Sequence, residues 1–174
     1  IKPKLVKIMI KKMPNISTIE AGQGLGDLKF GLERKDVELF LGAPDEKETF
    51  SFSEDDDEDM TENWHYDALE LSLSFDDSDD WRLGTISITS SQYLLKGFAP
   101  IGLSKEELEA KLKALGVDDL EYDDWSPEET PVHELMASDS LGINFWFDED
   151  KLSEVQWAPL FLDEETIIWP EIKN

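Results

Sequence analysis

Two parts of the chain alternate between apolar and polar residues. Residues 71–75 read LSLSF and residues 143–147 read INFWF, so every second side chain in both is apolar. A period of two is typical of a β-strand with one buried face. Acidic residues follow each segment, and the alternation returns in residues 83–88 and 152–157. The pattern therefore predicts two β-hairpins.

Two other segments carry apolar residues near helical spacing. In residues 32–41 leucine, valine and phenylalanine recur in this way, and Gly42 and Pro44 follow as a stop signal. A second helix is predicted after Ser104, which is a good N-cap. Glu107 lies three residues further on, and this spacing indicates a capping box.

The helix and hairpin segments occur twice in the same order. Residues 31–38 run parallel to residues 102–109 at an offset of 71, and the two hairpin strands repeat at offsets of 72 and 69. Three blocks in one order indicate an internal duplication. We predict a basic N-terminal segment at 1–25 and two repeat units at 26–97 and 98–174, packed as one compact body.

The predicted fold class is α+β. We expect two tandem helix-plus-antiparallel-sheet units that share one curved sheet, with the helices on one face and the other face exposed. The glycine-rich segment 22–26 precedes the first unit. It lacks the Gly-Lys-Ser/Thr of a phosphate-binding loop, so we interpret it as a flexible lead-in.

The sheet face away from the helices is where we expect a partner to bind. Phe145 and Phe147 are predicted to point towards the helices, so Trp146 between them points away. Trp is among the residue types most enriched in binding hot spots. The alternative is that Trp146 packs against the other unit or a terminal segment. The predicted partner-binding residues on this face are Trp146, Glu154, Gln156, Asn144, His65, Ser72 and Ser74.

A second candidate binding segment mixes acids with aromatic residues. Seven of the twelve residues from Asp118 to Glu129 are acidic, and Tyr122 and Trp125 lie among them. Aromatic side chains add contact area that a bare acidic run lacks. We therefore include Tyr122 and Trp125 among the predicted partner-binding residues. The alternative is a loop that is anchored by its own Trp125.

The net charge excludes some classes of partner. The 174 residues include 41 Asp and Glu but 16 Lys and Arg, and the resulting charge of −25 repels phosphate backbones and anionic lipid heads. We expect no nucleic-acid partner and no membrane insertion. The first twelve residues differ, because they hold five lysines. This segment either folds against the acidic body or acts as a basic arm.

Few residues are suited to catalysis or to metal binding. The chain has no Cys and two His, which excludes a thiolate nucleophile, a disulfide framework and a His-rich metal site. The acidic runs at 54–59 and 76–80 lack the ligand spacing of a calcium loop. Solvated loop tips, electrostatic steering of a basic partner and a calcium site are the three alternatives for these runs. We predict no catalytic residue, no metal site and no cofactor.

The helical segments also carry a family resemblance. The pattern Gly-Leu-x-x-x-x-Val/Leu-x-x-x-Leu, extended by residues 41–44 (LGAP), resembles the signature of outer-membrane assembly lipoproteins of the SmpA/OmlA type. The tandem duplication resembles the β-lactamase inhibitory protein family. That resemblance covers roughly residues 26–160. It implies two helix-loop-helix and four-stranded-sheet copies that form one curved sheet, whose concave face binds a partner protein. The chain lacks the lipidated or disulfide-forming Cys of those families.

These inferences favour protein binding over enzymatic activity. We expect a monomeric, cytoplasmic protein of the inhibitor or immunity type, which neutralises a basic partner through an acidic, aromatic-bearing sheet face. The missing initial Met leaves a cleaved leader open. The alternatives are an envelope-associated scaffold or assembly module and a carboxylate-dependent enzyme. Among 41 acids, however, no single carboxylate pair is specific.

Overall fold

A computed structural model describes residues 15–51, 60–124 and 133–172. Within these residues the chain forms two α-helices, α1 (Arg34–Leu41) and α2 (Lys105–Ala114). The strands are β1 (Thr18–Glu20), β2 (Gly24–Leu25), β3 (Leu28–Lys29), β4 (Glu46–Ser51), β5 (Met60–Tyr66), β6 (Leu71–Asp76), β7 (Arg82–Ile88), β8 (Leu94–Leu95), β9 (Leu120–Asp124), β10 (His133–Ser138), β11 (Ile143–Asp148), β12 (Lys151–Trp157), β13 (Leu160–Phe161) and β14 (Ile167–Ile168).

The largest element is an eight-stranded antiparallel sheet. Its spatial order is β4-β5-β6-β7-β12-β11-β10-β9. The β6–β7 and β11–β12 hairpins that the alternation predicts are both present, and β7 pairs with β12 at the centre. Four strands from each half of the chain therefore build one continuous sheet.

The two central hairpins have matching irregularities. Each returning strand has a bulge: Gly84 of β7 lies opposite the step from Ser74 to Phe75, and Ser153 of β12 lies opposite the step from Trp146 to Phe147, which are equivalent positions in the repeat. Both turns end in two non-glycine residues with positive φ, and in the second turn these are Glu149 and Asp150. The first turn has an additional short 3-10 helix, Asp77–Asp79. These three residues account for the change of offset from 72 to 69.

One face of the large sheet is apolar and buried. On β6 and β11 the alternation holds, because Phe75, Phe145 and Phe147 are fully buried while their neighbours are partly exposed. Burial of such side chains contributes about 1.5–3 kcal/mol each. The core is one contiguous cluster that also includes Val37 of α1 and Leu108 of α2.

A four-stranded small sheet lies against the core face of the large sheet. Its order is β3-β2-β1-β8, and the indole Nε1 of Trp157 in β12 donates a hydrogen bond of 3.0 Å to the carbonyl of Gly24 in β2. Leu25 and Leu28 are fully buried. Residues 22–26 are therefore not a flexible lead-in but part of the packed body. At Gly24, where φ is 144°, a Cβ would lie 2.1 Å from the Leu28 carbonyl oxygen, so this position requires glycine.

The predicted fold class is wrong. The described residues are mostly β-structure, with two short helices rather than two helix-plus-sheet units whose helices cover one face. The physical reason is size, because helices of 8 and 10 residues are only about 12 and 15 Å long. Eight strands span about 34 Å, so the helices cannot cover the sheet. The small sheet fills part of the core-facing layer instead.

The two helix starts differ in their capping. The Ser104 side chain accepts a hydrogen bond from the Glu107 backbone N–H and the Glu107 side chain accepts from Ser104, so the predicted capping box is confirmed. At α1 the N-cap Glu33 makes no side-chain capping bond. In the part of the chain that the structure describes, neither helix has the length and apolar character that a membrane span requires.

Candidate functional site: the outward face of the large sheet

The face of the large sheet opposite the core is called here the outward face. Strand register places one row of its side chains across all eight strands, and we name this the first row. From β4 to β9 the first row consists of Glu46, His65, Ser72, Ser87, Gln156, Asn144, Ala137 and Glu121. Four of the predicted partner-binding residues therefore lie in one line.

The second row consists of two shorter lines, one in each half of the sheet. The line in the first half is Glu48, Asn63, Ser74 and Thr85. The line in the second half is Glu154, Trp146, Leu135 and Asp123. The remaining predicted residues of the sheet face, Ser74, Trp146 and Glu154, lie here. The seven predicted positions thus share the outward face.

The two rows are acidic. They contain Glu46 and Glu48 at one edge, Glu121 and Asp123 at the other edge, and Glu154 near the centre. Neither row, followed through the described strands from β4 to β9, contains a Lys or Arg residue. The next line on this face, His133, Asp148 and Lys151, adds one basic side chain, so the face has an acidic excess. An excess of one charge attracts oppositely charged partners over about one Debye length, roughly 8–10 Å.

Hydrogen bonds between neighbouring strands hold many of these side chains. The Ser87 hydroxyl donates to Glu154 Oε2 at 2.6 Å, and the Ser74 hydroxyl donates to Asn63 Oδ1 at 2.6 Å. His65 Nδ1 lies 2.8 Å from the hydroxyl of Ser72. The His65 Nε2 atom lies 3.6 Å from a carboxylate oxygen of Glu48. These contacts restrict the side chains before any partner arrives.

Trp146 lies within a polar and aromatic group on β10, β11 and β12. Its indole stacks on the His133 imidazole with ring centroids 5.1 Å apart, and its Nε1 donates to Gln156 Oε1 at 3.4 Å. His133 Nδ1 lies 2.8 Å from Asp148 Oδ1. Hydrogen bonds from His133 and Ser153 hold the pKa of Asp148 below its usual value. Trp146 is half-buried, in contrast to the buried Phe145 next to it.

The second predicted binding segment has a different placement. Tyr122 is in register with the buried Met136 and so lies on the core-facing side of β9. Burial, followed by a hydrogen bond to Glu109 and the charge of Glu109, raises the pKa of Tyr122 to about 12. The structure does not bring Tyr122 together with the outward face. Trp125, like the rest of 125–132, lies outside the described residues.

The acidic runs do not form a metal centre in the described residues. In residues 15–51, 60–124 and 133–172, no group of three or more His, Asp or Glu side chains is arranged to hold a metal ion. Burial, followed by the charges of Asp76 and Asp80, raises the pKa of Asp79. The acidic run at 54–59 and the lysines of the first twelve residues lie outside the described residues.

The sequence did not identify the two edge strands of the outward face. In β4 the exposed pattern of EKETFS has no buried position, so no apolar alternation marks it as a strand. The sequence of β9, LEYDD, also has no buried position and no apolar alternation. The repeat gives one sequence signal for both strands, because each follows a helix and precedes the strand that leads into the hairpin. In the structure β4 pairs with β5 and β9 pairs with β10.

Comparison with protein-family models, curated proteins and solved structures finds no match to this chain. The resemblance to the lipoproteins and to the β-lactamase inhibitory protein family stays a prediction. Function is therefore inferred from the outward face itself.

Proposed function

We propose that this chain is a non-enzymatic protein-binding protein of the inhibitor or immunity type, which neutralises a basic partner through the outward face. The charge of the two rows carries this proposal. Acidic side chains recur from β4 to β9, and neither row contains a Lys or Arg residue. A partner surface rich in Lys and Arg would be both attracted to this face and matched by it.

The size of the outward face supports a protein partner. Eight strands at about 4.8 Å spacing give a width of about 34 Å, and strands of five to seven residues are about 17–23 Å long. The area is then about 700 Å². A standard protein interface buries about 600–1,000 Å² on each partner. One face of this sheet is therefore large enough for a specific complex.

The hydrogen bonds of the outward face also support binding. Ordering flexible side chains costs about 0.5–1.5 kcal/mol for each immobilised group. Glu154 and Asn63 already accept hydrogen bonds from neighbouring serines, so part of that cost is met in the free protein. Trp146 lies on the same face, and its residue type is often a hot spot.

The experiment compares the capture of partners by three forms of the full chain. The wild type, the double variant Glu48→Gln/Glu154→Gln and the matched control Glu164→Gln/Glu165→Gln are each immobilised and exposed to lysate of the source organism at low salt. The control removes the same charge from the exposed turn between β13 and β14. We expect a basic protein to bind to the wild type and the control and to be lost from the sheet variant.

The kinetics of the captured complex give a second measurement. The association rate should fall steeply as ionic strength rises, because steered encounters depend on unscreened charge. Equal capture by all three forms, or an association rate that does not depend on salt, would contradict the proposed function.

A further inference from the structure

The two halves of the outward face differ in the size of their central side chains. On β6 and β7 the outward positions hold small hydroxyl residues, Ser72, Ser74, Thr85 and Ser87. The equivalent positions on β11 and β12 hold larger residues, Asn144, Trp146, Glu154 and Gln156. Because the bulges of the two hairpins match, the backbone course is similar and the difference lies in the side chains. We call the low strip along β6 and β7 the trough.

Larger side chains border the trough on both sides. Asn63 and His65 of β5 form one side, and Glu154 and Gln156 of β12 form the other. From β5 to β12 there are three strand spacings, which correspond to about 14 Å. An α-helix with its side chains is about 10–12 Å in diameter. This distance joins strand axes, and border side chains reach over the floor to hydrogen-bond with Ser72, Ser74 and Ser87. The open width is therefore smaller and suits one helix only if the side chains that face the floor are small.

One acidic group lies on the β12 border and another lies one strand beyond the β5 border. On the β12 side, the Ser87 hydroxyl donates to Glu154 at 2.6 Å. Beyond the β5 border, Glu48 of β4 lies beside His65 with 3.6 Å between Oε2 and Nε2. The two carboxylates lie on opposite sides of the hydroxyl floor. A Lys or Arg side chain at each flank of a bound helix could form a charge-assisted hydrogen bond with one of them.

We infer that the trough binds one α-helix of the partner, which carries Lys or Arg on both flanks and small residues on the stripe between them. This inference rests on the proposed function, because it specifies the segment by which a basic partner binds to the outward face. The facing stripe must be small because border side chains already hydrogen-bond to Ser72, Ser74 and Ser87 and leave little depth above the floor.

The experiment uses a peptide probe and the full chain. The probe is a lactam-bridged helix of about 14 residues, which is about 20 Å long, with Ala along one stripe and Lys on both flanks. Its control has the same composition, but alternate D-Lys residues prevent a helix. We measure affinity by calorimetry and locate the site by amide chemical-shift changes. The helical probe should bind at least about tenfold more tightly than its control and should shift the amides of β6 and β7.

Filling the trough should abolish this preference. Ser74→Trp introduces the residue found at the equivalent position in the repeat and should weaken the helical probe at least about tenfold. Ala137→Trp is the matched control, because it adds the same bulk to the outward face outside the trough, and it should bind within about twofold of the wild type. Thr85→Gln is a second filling variant of smaller size, and both are checked for native unfolding curves.

The outcomes separate this inference from the proposed function. If Ser74→Trp, Thr85→Gln and Ala137→Trp all bind the helical probe as the wild type does, or if the helical and non-helical probes bind alike, the helix inference is overturned. The proposed function survives that result when Glu48→Gln/Glu154→Gln still loses the captured basic protein. If that variant also binds normally, both are overturned.

Discussion

The two sides of β11 give a direct test of the sheet's orientation. Phe145 is fully buried among core residues, whereas its neighbour Trp146 is half-buried on the outward face. Phe145→Ala removes a ring from a packed core and leaves a cavity, so it should lower the free energy of unfolding by about 3–5 kcal/mol. A domain with a total stability of about 5–15 kcal/mol would lose a large fraction of it.

Trp146→Ala should cost less despite removing the larger side chain. The variant loses the stacking on His133 and the hydrogen bond to Gln156, which together amount to about 1–2 kcal/mol. Water can occupy the vacated position on a partly exposed face, so no closed cavity remains. The larger residue should therefore be the less important one for folding.

Urea unfolding followed by far-ultraviolet circular dichroism measures both variants without relying on Trp fluorescence. The slope of the transition should stay the same, because the surface exposed on unfolding hardly changes. Phe75→Ala in β6 is a replicate, since Phe75 is also fully buried. If Trp146→Ala were as destabilising as Phe145→Ala, Trp146 would be part of a packed interior and the outward face would not be available to a partner.

Three further predictions concern pH and backbone strain. Hydrogen bonds from the Ser140 N–H and the Ser138 hydroxyl lower the pKa of Asp119, so its stabilising contribution is present above the unfolded pKa of about 3.9 and is lost as pH falls through the folded pKa. The difference in unfolding free energy between the wild type and Asp119→Asn, measured in urea, should therefore shrink below about pH 4, and a constant difference would refute this. Glu149 has φ of 50°, so Glu149→Asn should raise the unfolding free energy by about 0.5–1 kcal/mol, and an unchanged urea midpoint would contradict the strain. Absorbance at alkaline pH should show little tyrosinate near the ordinary pKa of about 10 while the chain stays folded, because burial is the first cause that raises the pKa of all three tyrosines. A full tyrosinate transition at that pH in the folded chain would contradict it. The three are Tyr66, Tyr93 and Tyr122.

The central hairpins were predictable from sequence because the pattern that forms them lies within a few consecutive residues. A strand with one buried face must alternate, and residues 71–75 and 143–147 show that alternation. The repeat offset decreases from 72 to 69 between the two hairpin strands. This change indicates three extra residues in the first turn, which form the 3-10 helix Asp77–Asp79. The capping box at Ser104 was equally visible, because its two partners are three residues apart.

The small sheet was not predictable from local pattern. Its strands have two or three residues each, which is too short to show a period of two. Its β1 strand pairs in parallel with β8, and Thr18 lies opposite Leu94, far away along the chain. Glycines at 22, 24 and 26 indicated a loop, but they are needed for tight turns between buried strands. The fold class was misjudged because this non-local sheet occupies space that was assigned to helices.

The strand register also shows where the two halves of the chain have diverged. Positions that face the core are filled by large apolar residues in both halves, such as Phe75 and its equivalent Phe147, because each must fill a similar space in the packed interior. Outward positions have no such requirement, and Ser74 corresponds to Trp146. The backbone and the core can thus stay alike while the outward side chains differ. Because packing does not require this difference, the shape of a binding partner can account for it. The trough, which lies next to the half of the sheet that contains Trp146, is therefore the first place to test for specificity.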